Sequence, residues 1–248
     1  MIIRKSPEEI KLMREAGRVV AETIEAIKQE IAEGVTTEYL DKIAEEYIVN
    51  KHAEPAFKGY HGFPASICVS INEQVVHGIP GSRRLQSGEI VSVDIGVKYK
   101  GYYGDAAFTV AVEDVPERGA HLIEVTQKAL MRGVANCYVG KHLYDISHAI
   151  QEVAERAGFS VVREYVGHGI GRSMHEGPQI PNFGPAGRGP LLKEGMVFAL
   201  EPMVNMGSHE VEVLSDNWTV VTADRSLSAH FEHTVAVTSK GPLVLTSL

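Results

Sequence analysis

The chain has 248 residues, 44% hydrophobic and 23% charged, and its 24 Lys and Arg against 32 Asp and Glu give a formal charge of −8. Such a composition suits a globular protein with a sizeable core and argues against a dominant role in binding nucleic acid or another polyanion. Arg83-Arg84 is too small a basic cluster to reverse that. No eighteen apolar residues run together, and the N-terminus lacks the apolar stretch of a signal peptide, so a cytoplasmic protein without membrane segments is expected. Cys68 and Cys137 are too few for a disulfide framework or a cysteine-based zinc site, so any metal needs other ligands.

The opening predicts a helix with a full start signal: Ser6 as N-cap, Pro7 at the first helical position and Glu9 closing a capping box. Ile10, Met13, Gly17, Val20, Ile24, Ile27 and Ile31 then form one apolar stripe. A second helix is expected from Thr37 to about Asn50, with Leu40, Ile43, Tyr47 and Ile48 inward. The strand-like runs ASICVSI (65–71), EIVSVDIGV (89–97) and AAFTVAV (106–112) follow. Helical patterns return over 117–136 and 143–157, the second stopped by Gly158, before SVVREYV (160–166), GMVFAL (195–200) and FEHTVAV (231–237).

Helices therefore precede strands twice. An offset of 107 aligns His61-Gly62 with His168-Gly169, Leu85 with Leu192, Gly88 with Gly195 and Asp94 with Glu201, and an offset of 106 aligns Gly34 with Gly140. The expectation is an α+β fold in one domain, residues 1–248, whose pseudo-symmetric halves, about 1–115 and 116–248, surround one sheet and leave a cleft between them.

In the run from Glu89 to Val112, Val91, Val93, Ile95 and Val97 alternate with Ser92, Asp94 and Gly96, which points Asp94 away from the main apolar face. A turn between Tyr99 and Lys100 would set Asp94 directly opposite Asp105, their Cβ atoms about 5 Å apart. From this hairpin alone, two solvated aspartates, a turn displaced by one residue and a bridging cation are all open readings. The second half tips the balance toward the cation. Glu201 falls at the repeat equivalent of Asp94, held extended by Pro202, and Glu232 lies on the next strand-like run beyond an insert carrying Trp218. Four carboxylates in one cleft are hard to keep ionised without divalent metal. His168, between two glycines that let its backbone approach closely, adds an imidazole. This oxygen-rich set suits two adjacent divalent ions sharing a water or hydroxide, and does not discriminate among manganese, iron, cobalt and zinc.

Asp94, Asp105, His168, Glu201 and Glu232 match, in identity, order and approximate spacing, the five metal ligands of the methionine aminopeptidases, whose short bacterial type I form this sequence resembles. The similarity runs from about Ser6 to Thr246, through YHGFPASICVSINEQVVHGIP, VVREYVGHGIGR, EPMVN and DRSLSAHFEHT. Glu201 follows His168 by 33 residues and Glu232 follows Glu201 by 31, which leaves no room for the helical insert of the type II branch, and a zinc-finger extension is missing. The resemblance implies a pita-bread fold: a curved, mostly antiparallel sheet in two pseudo-symmetric halves with outer helices. It implies removal of the initiator methionine from nascent polypeptides when the second residue is small, by a hydroxide held between two metal ions.

By the same resemblance, Glu201 is both ligand and proton carrier, His175 polarises the substrate carbonyl, and His77 contacts the scissile amide nitrogen. Tyr60, Phe63, Cys68 and Trp218 match the methionine pocket. Residues 171–190, with five glycines and four prolines, read as a long loop serving the site. Phe57 and Met174 depart from residues common in the family, and bear on second-residue preference. The nearest enzymatic rival, an Xaa-Pro peptidase, usually carries a large N-terminal domain; a pita-bread binding protein typically loses metal ligands, and all five are present. A monomer is expected, with ribosome contact left open.

Overall fold

The computed structural model describes residues 2–248. Helix α1 (Pro7–Glu30) starts as its sequence dictates. The Ser6 side chain accepts from the Glu9 backbone N–H, and the Glu9 carboxylate accepts from the Ser6 N–H. Its buried face carries Met13, Gly17, Val20, Ile24 and Ile27. Helix α2 (Thr37–Asn50) buries Leu40, Ala44 and Ile48, while Ile43 and Tyr47, expected inward, are only half-buried. The four-residue step from Leu40 to Ala44 to Ile48 sets the inward stripe and turns the other two to its edges.

Strands β1 (Glu54–Pro55), β2 (Cys68–Ile71), β3 (Gln74–Val76), β4 (Ile90–Tyr99) and β5 (Tyr102–Ala111) follow, and β4 pairs antiparallel with β1, β2 and β5. The β4–β5 turn lies one residue later than the sequence suggests. Lys100 and Gly101 form a two-residue loop at φ 49° and 80°, the doubly positive geometry that matches strand twist and that glycine permits. The register therefore slips by two. Asp94 faces Ala107 and Asp105 faces Gly96, so the aspartates share one face as diagonal neighbours instead of sitting directly opposite.

Helix α1 crosses this hairpin at a point where only glycine fits. A Cβ on Gly17 would lie 2.4 Å from the Leu245 carbonyl oxygen, and one on Gly104 would lie 2.9 Å from the Gly17 nitrogen. Helices α3 (Glu117–Val134) and α4 (Leu143–Arg156) pack together in the second half, and Gly158, at φ 80°, ends the latter.

Ten short strands complete the chain: β6 (Ser160–Val161), β7 (Gly167–Gly169), β8 (Glu176–Ile180), β9 (Val197–Leu200), β10 (Met203–Asn205), β11 (Val211–Val213), β12 (Val220–Thr222), β13 (Ser228–His230), β14 (His233–Thr238) and β15 (Gly241–Val244). They form sheets in the orders β15-β14-β9-β7-β8, β13-β10-β6 and β11-β12-β3. The strand expected over 160–166 stops after two residues, where the exposed Arg163 and Glu164 leave the sheet. The segment 171–190, expected as a structureless loop, contains β8, because Gly167 and Gly169 let its backbone close on β7. A Cβ on Gly169 would lie 2.3 Å from the Gly177 carbonyl oxygen.

The two larger sheets join along β5. The Glu232 N–H donates to the Ala107 carbonyl at 2.9 Å, and the Ala107 N–H returns a bond at 3.4 Å. The Thr234 hydroxyl accepts from the Asp105 N–H at 3.0 Å and donates to the Asp105 carbonyl at 2.8 Å. Val91, Val93, Ile95, Val97, Phe198, Leu200, Val235 and Val237 share one buried cluster with residues of all four helices. The molecule is thus α+β, with a mostly antiparallel sheet whose one face is covered by helices and whose other is free to carry a site. Among the described residues no helix is long and apolar enough to cross a membrane.

Candidate active site

Strand register alone lines up the site. Cys68 faces Asp94, Asp94 faces Ala107, and Ala107 exchanges hydrogen bonds with Glu232. The β9–β14 register pairs Leu200 with His233, and the Phe231 N–H donates to the Pro202 carbonyl, so Glu201 falls opposite Glu232. Two residues along runs a second row: Gly96 faces Asp105, Asp105 meets Thr234, Thr234 faces Ala199, and Ala199 faces His168. With a two-residue side-chain period, both rows lie on the face opposite the main core. Four carboxylates and one imidazole are thereby brought together, with the small Ala107 and Ala199 standing between them.

The set is largely buried, with Asp94 and Glu201 half-buried at its cavity side, and it is short of partners. Asp105, His168 and Glu232 are buried, and one ligand atom from each lies within 4.8 Å of the others. One oxygen each of Asp94, Asp105 and Glu232 is buried without a hydrogen-bond partner. Orphaned carboxylate oxygens are expensive in a protein interior, and a cation satisfies them. The His168 ring is pre-set for the same purpose: Nδ1 lies 2.9 Å from the Gly169 carbonyl, to which it donates, leaving the Nε2 lone pair facing Glu201 Oε1 at 3.5 Å and Asp105 Oδ2 at 3.9 Å. Those separations are too long for good hydrogen bonds and leave room for a shared ion. The residues fit a divalent metal.

Electrostatics agrees. Burial pushes Asp94 up to about 7. Asp105, Glu201 and Glu232 are raised well above the ordinary carboxylate range, first by burial and then by one another's charge. Burial pushes His168 down to about 4, so its imidazole is neutral near neutral pH and could serve a cation as a ligand. A cluster that resists ionisation in its own field is a cluster that gains from a cation.

Beside it opens a cavity of about 430 Å³ whose wall includes every residue singled out from the sequence. Phe63 and Cys68 are buried in its apolar part, and Phe63 meets the Trp218 ring edge-on at 5.1 Å. Tyr60 Oη lies 2.7 Å from His175 Nδ1, and the His175 and His168 rings are 4.3 Å apart. His77, at φ 60°, sits 6.4 Å from Trp218 and is pushed down to about 4 by burial. Phe57 and Met174 also line the cavity, the first packed so tightly that a Cβ on Gly96 would lie 2.5 Å from its ring.

His61 was not among the expected site residues, yet it reaches the cavity beside Tyr60, with ring centroids 4.4 Å apart. Its sequence signal was the His-Gly pair shared with His168-Gly169. The two differ in setting, since His61 is exposed in a single 3-10 turn while His168 is buried in β7.

The model of metallopeptidase family M24 matches residues 11–239. Methionine aminopeptidase 1 of Bacillus subtilis is 55% identical over 246 residues, covering 99% of each chain. The crystal structure of methionine aminopeptidase from Thermotoga maritima superposes with a TM-score of 0.99 at 45% identity and full coverage of both chains. A prolidase from Pyrococcus furiosus, 24% identical, shares the fold alone: its TM-score is 0.81, over 99% of this chain and 66% of that one. The fold is that of these pita-bread enzymes, and the chain belongs to metallopeptidase family M24 and, within it, to the methionine aminopeptidases.

Proposed function

We propose that the chain removes the initiator methionine from nascent polypeptides whose second residue is small, as one cytoplasmic, monomeric catalytic domain of two halves, about 1–115 and 116–248. The observation that carries this reading is the pair of carboxylate rows with orphaned oxygens bordering an apolar cavity. Asp94, Asp105, His168, Glu201 and Glu232 would hold two divalent ions, drawn from manganese, iron, cobalt and zinc. When bound, such ions supply an acidified water near neutral pH and a Lewis acid for the scissile carbonyl.

The chain's own residues do the rest. Phe63, Cys68, Tyr60 and Trp218 receive an unbranched thioether side chain. Tyr60 Oη, donating to His175 Nδ1, leaves the ring proton on Nε2, where it stabilises negative charge developing on the carbonyl oxygen. His77, neutral near pH 7, meets the scissile amide nitrogen. Glu201, as a carboxylate, takes a proton from the attacking water and returns it to the leaving amine.

The test is free amino acid released by metal-stripped and metal-restored protein from Met-Ala-Ser, Met-Leu-Ser and Ala-Pro-Ser. Metal-dependent release from the first peptide only supports the whole reading. Equal release from the first two overturns the small-residue preference, and cleavage of the third alone moves the chain to Xaa-Pro chemistry. A ribosome contact, which a nascent substrate would favour, is read separately by co-sedimentation.

A further inference from the structure

On the cavity side His175 is held by its bond to Tyr60, by the His168 ring 4.3 Å away and by the buried Met174 beside it. Further restraint comes from behind. Lys5 is buried at 7% exposure, and its ammonium lies 2.5 Å from Glu176 Oε2, with side-chain exposures of 4% and 7% for the pair. The other Glu176 oxygen accepts from the Arg172 N–H at 2.9 Å and the Ser173 N–H at 3.4 Å, closing residues 172–176 into a loop immediately before β8. The Lys5 stem fills the space above Gly171, where a Cβ would lie 2.4 Å from Lys5 Cε. Lys5 is itself fixed by its backbone N–H donating to the Gly195 carbonyl at 2.6 Å. A second, more exposed tie joins the same loop to α1, with Arg172 on Glu9 at 3.4 Å and over the Tyr102 ring at 4.7 Å.

We infer that Lys5 is a positioning residue: through its buried ion pair with Glu176 it fixes the loop that aims His175 at the substrate carbonyl. The inference rests on the role proposed above for His175. Neither Lys5 nor Glu176 borders the cavity, so the pair acts only through the backbone of its neighbour. A buried ion pair is a poor source of net stability but a stringent geometric constraint, as a charge left unpaired there has no water to turn to.

The experiment compares Lys5→Met, Glu176→Gln and His175→Ala with the double variant Lys5→Met/His175→Ala, all loaded with manganese. Read together are kcat and KM on Met-Ala-Ser, manganese affinity, melting temperature and, in the metal-free proteins, where no paramagnetic ion broadens them, the imidazole NMR signals of His175. Lys5→Met keeps the stem over Gly171, and Glu176→Gln keeps an acceptor for the Arg172 N–H. Expected for each is a fall in kcat of about 10- to 100-fold, the scale of a misplacement near 1 Å, with KM and manganese affinity within about twofold and a broadened or shifted His175 signal. Adding Lys5→Met to His175→Ala should cost nothing further. A lower melting temperature with unchanged kcat in Glu176→Gln, or full additivity in the double variant, overturns the inference. Unchanged kcat in His175→Ala overturns the role of His175 instead, and the two failures are told apart by that variant alone.

Discussion

Each of the four site carboxylates is held where its charge is least welcome. Metal binding needs them ionised, and burial raises Asp94 to about 7 with Asp105, Glu201 and Glu232 also raised, so protons must leave as the ions enter. The sign follows: affinity rises with pH as the raised carboxyls give up their protons, and Asp94 adds a loss as pH falls through about 7. His168, down at about 4, stays neutral over that window and contributes no slope. Manganese titrations between pH 5.5 and 8.5 should therefore show affinity rising with pH, and a flat profile would contradict the burial argument. Asp105→Ala should lower methionine release by more than about 100-fold, a loss beyond that of disturbing a residue that merely supports a ligand. The metal-free variant should melt no lower than the parent, because a buried, mutually repelling group has gone. His175→Ala should cost about 10²–10³ in kcat with manganese affinity unchanged, the usual effect of removing one donor to a developing oxyanion.

At the level of elements, the site is a product of register. Ala107 stands between Asp94 and Glu232 in one row, nearly fully buried, and its small side chain leaves the space between them open. Ala107→Val preserves every proposed ligand and suits a strand, yet fills that space. Overpacking of this kind costs about 1–3 kcal/mol, so manganese affinity should fall roughly 10- to 100-fold in a titration while the circular dichroism spectrum stays that of the parent. The same elements mark the reach of sequence reasoning. The capping box at Ser6, the alternation through Val91 to Val97 and the carboxylates on the opposite face were legible, since each follows from local chemistry or period. The hairpin centre was not, because Lys100 adopts a left-handed conformation that its residue type does not advertise. Strand β8 hid among glycines and prolines, as its partner β7 is fixed only by tertiary approach. Contacts distant in sequence, Thr234 with Asp105 and Lys5 with Glu176, have no local signature at all.

Across the whole molecule, the candidate site lies on a seam between residues distant in sequence. The aspartates arrive on the β4–β5 hairpin and the glutamates at the ends of β9 and β14, so ions held among them would tie residues 94–105 to residues 168–232. Ion binding should therefore stabilise the entire fold. At a free ion concentration of 100 times Kd the gain is about 2.7 kcal/mol. For a chain of this length that corresponds to a rise in Tm of about 5–10 °C, reversed by chelation, in differential scanning calorimetry. A chelator-insensitive Tm would mean that the two rows do not share a ligand.

The central claim is that the two carboxylate rows are a metal centre, and anomalous diffraction from crystals soaked in manganese tests it most directly. The account predicts two peaks in the cavity, together ligated by Asp94, Asp105, His168, Glu201 and Glu232 at distances of about 2.0–2.3 Å. Peaks elsewhere, or a saturated soak that leaves these five side chains without an ion, would contradict it.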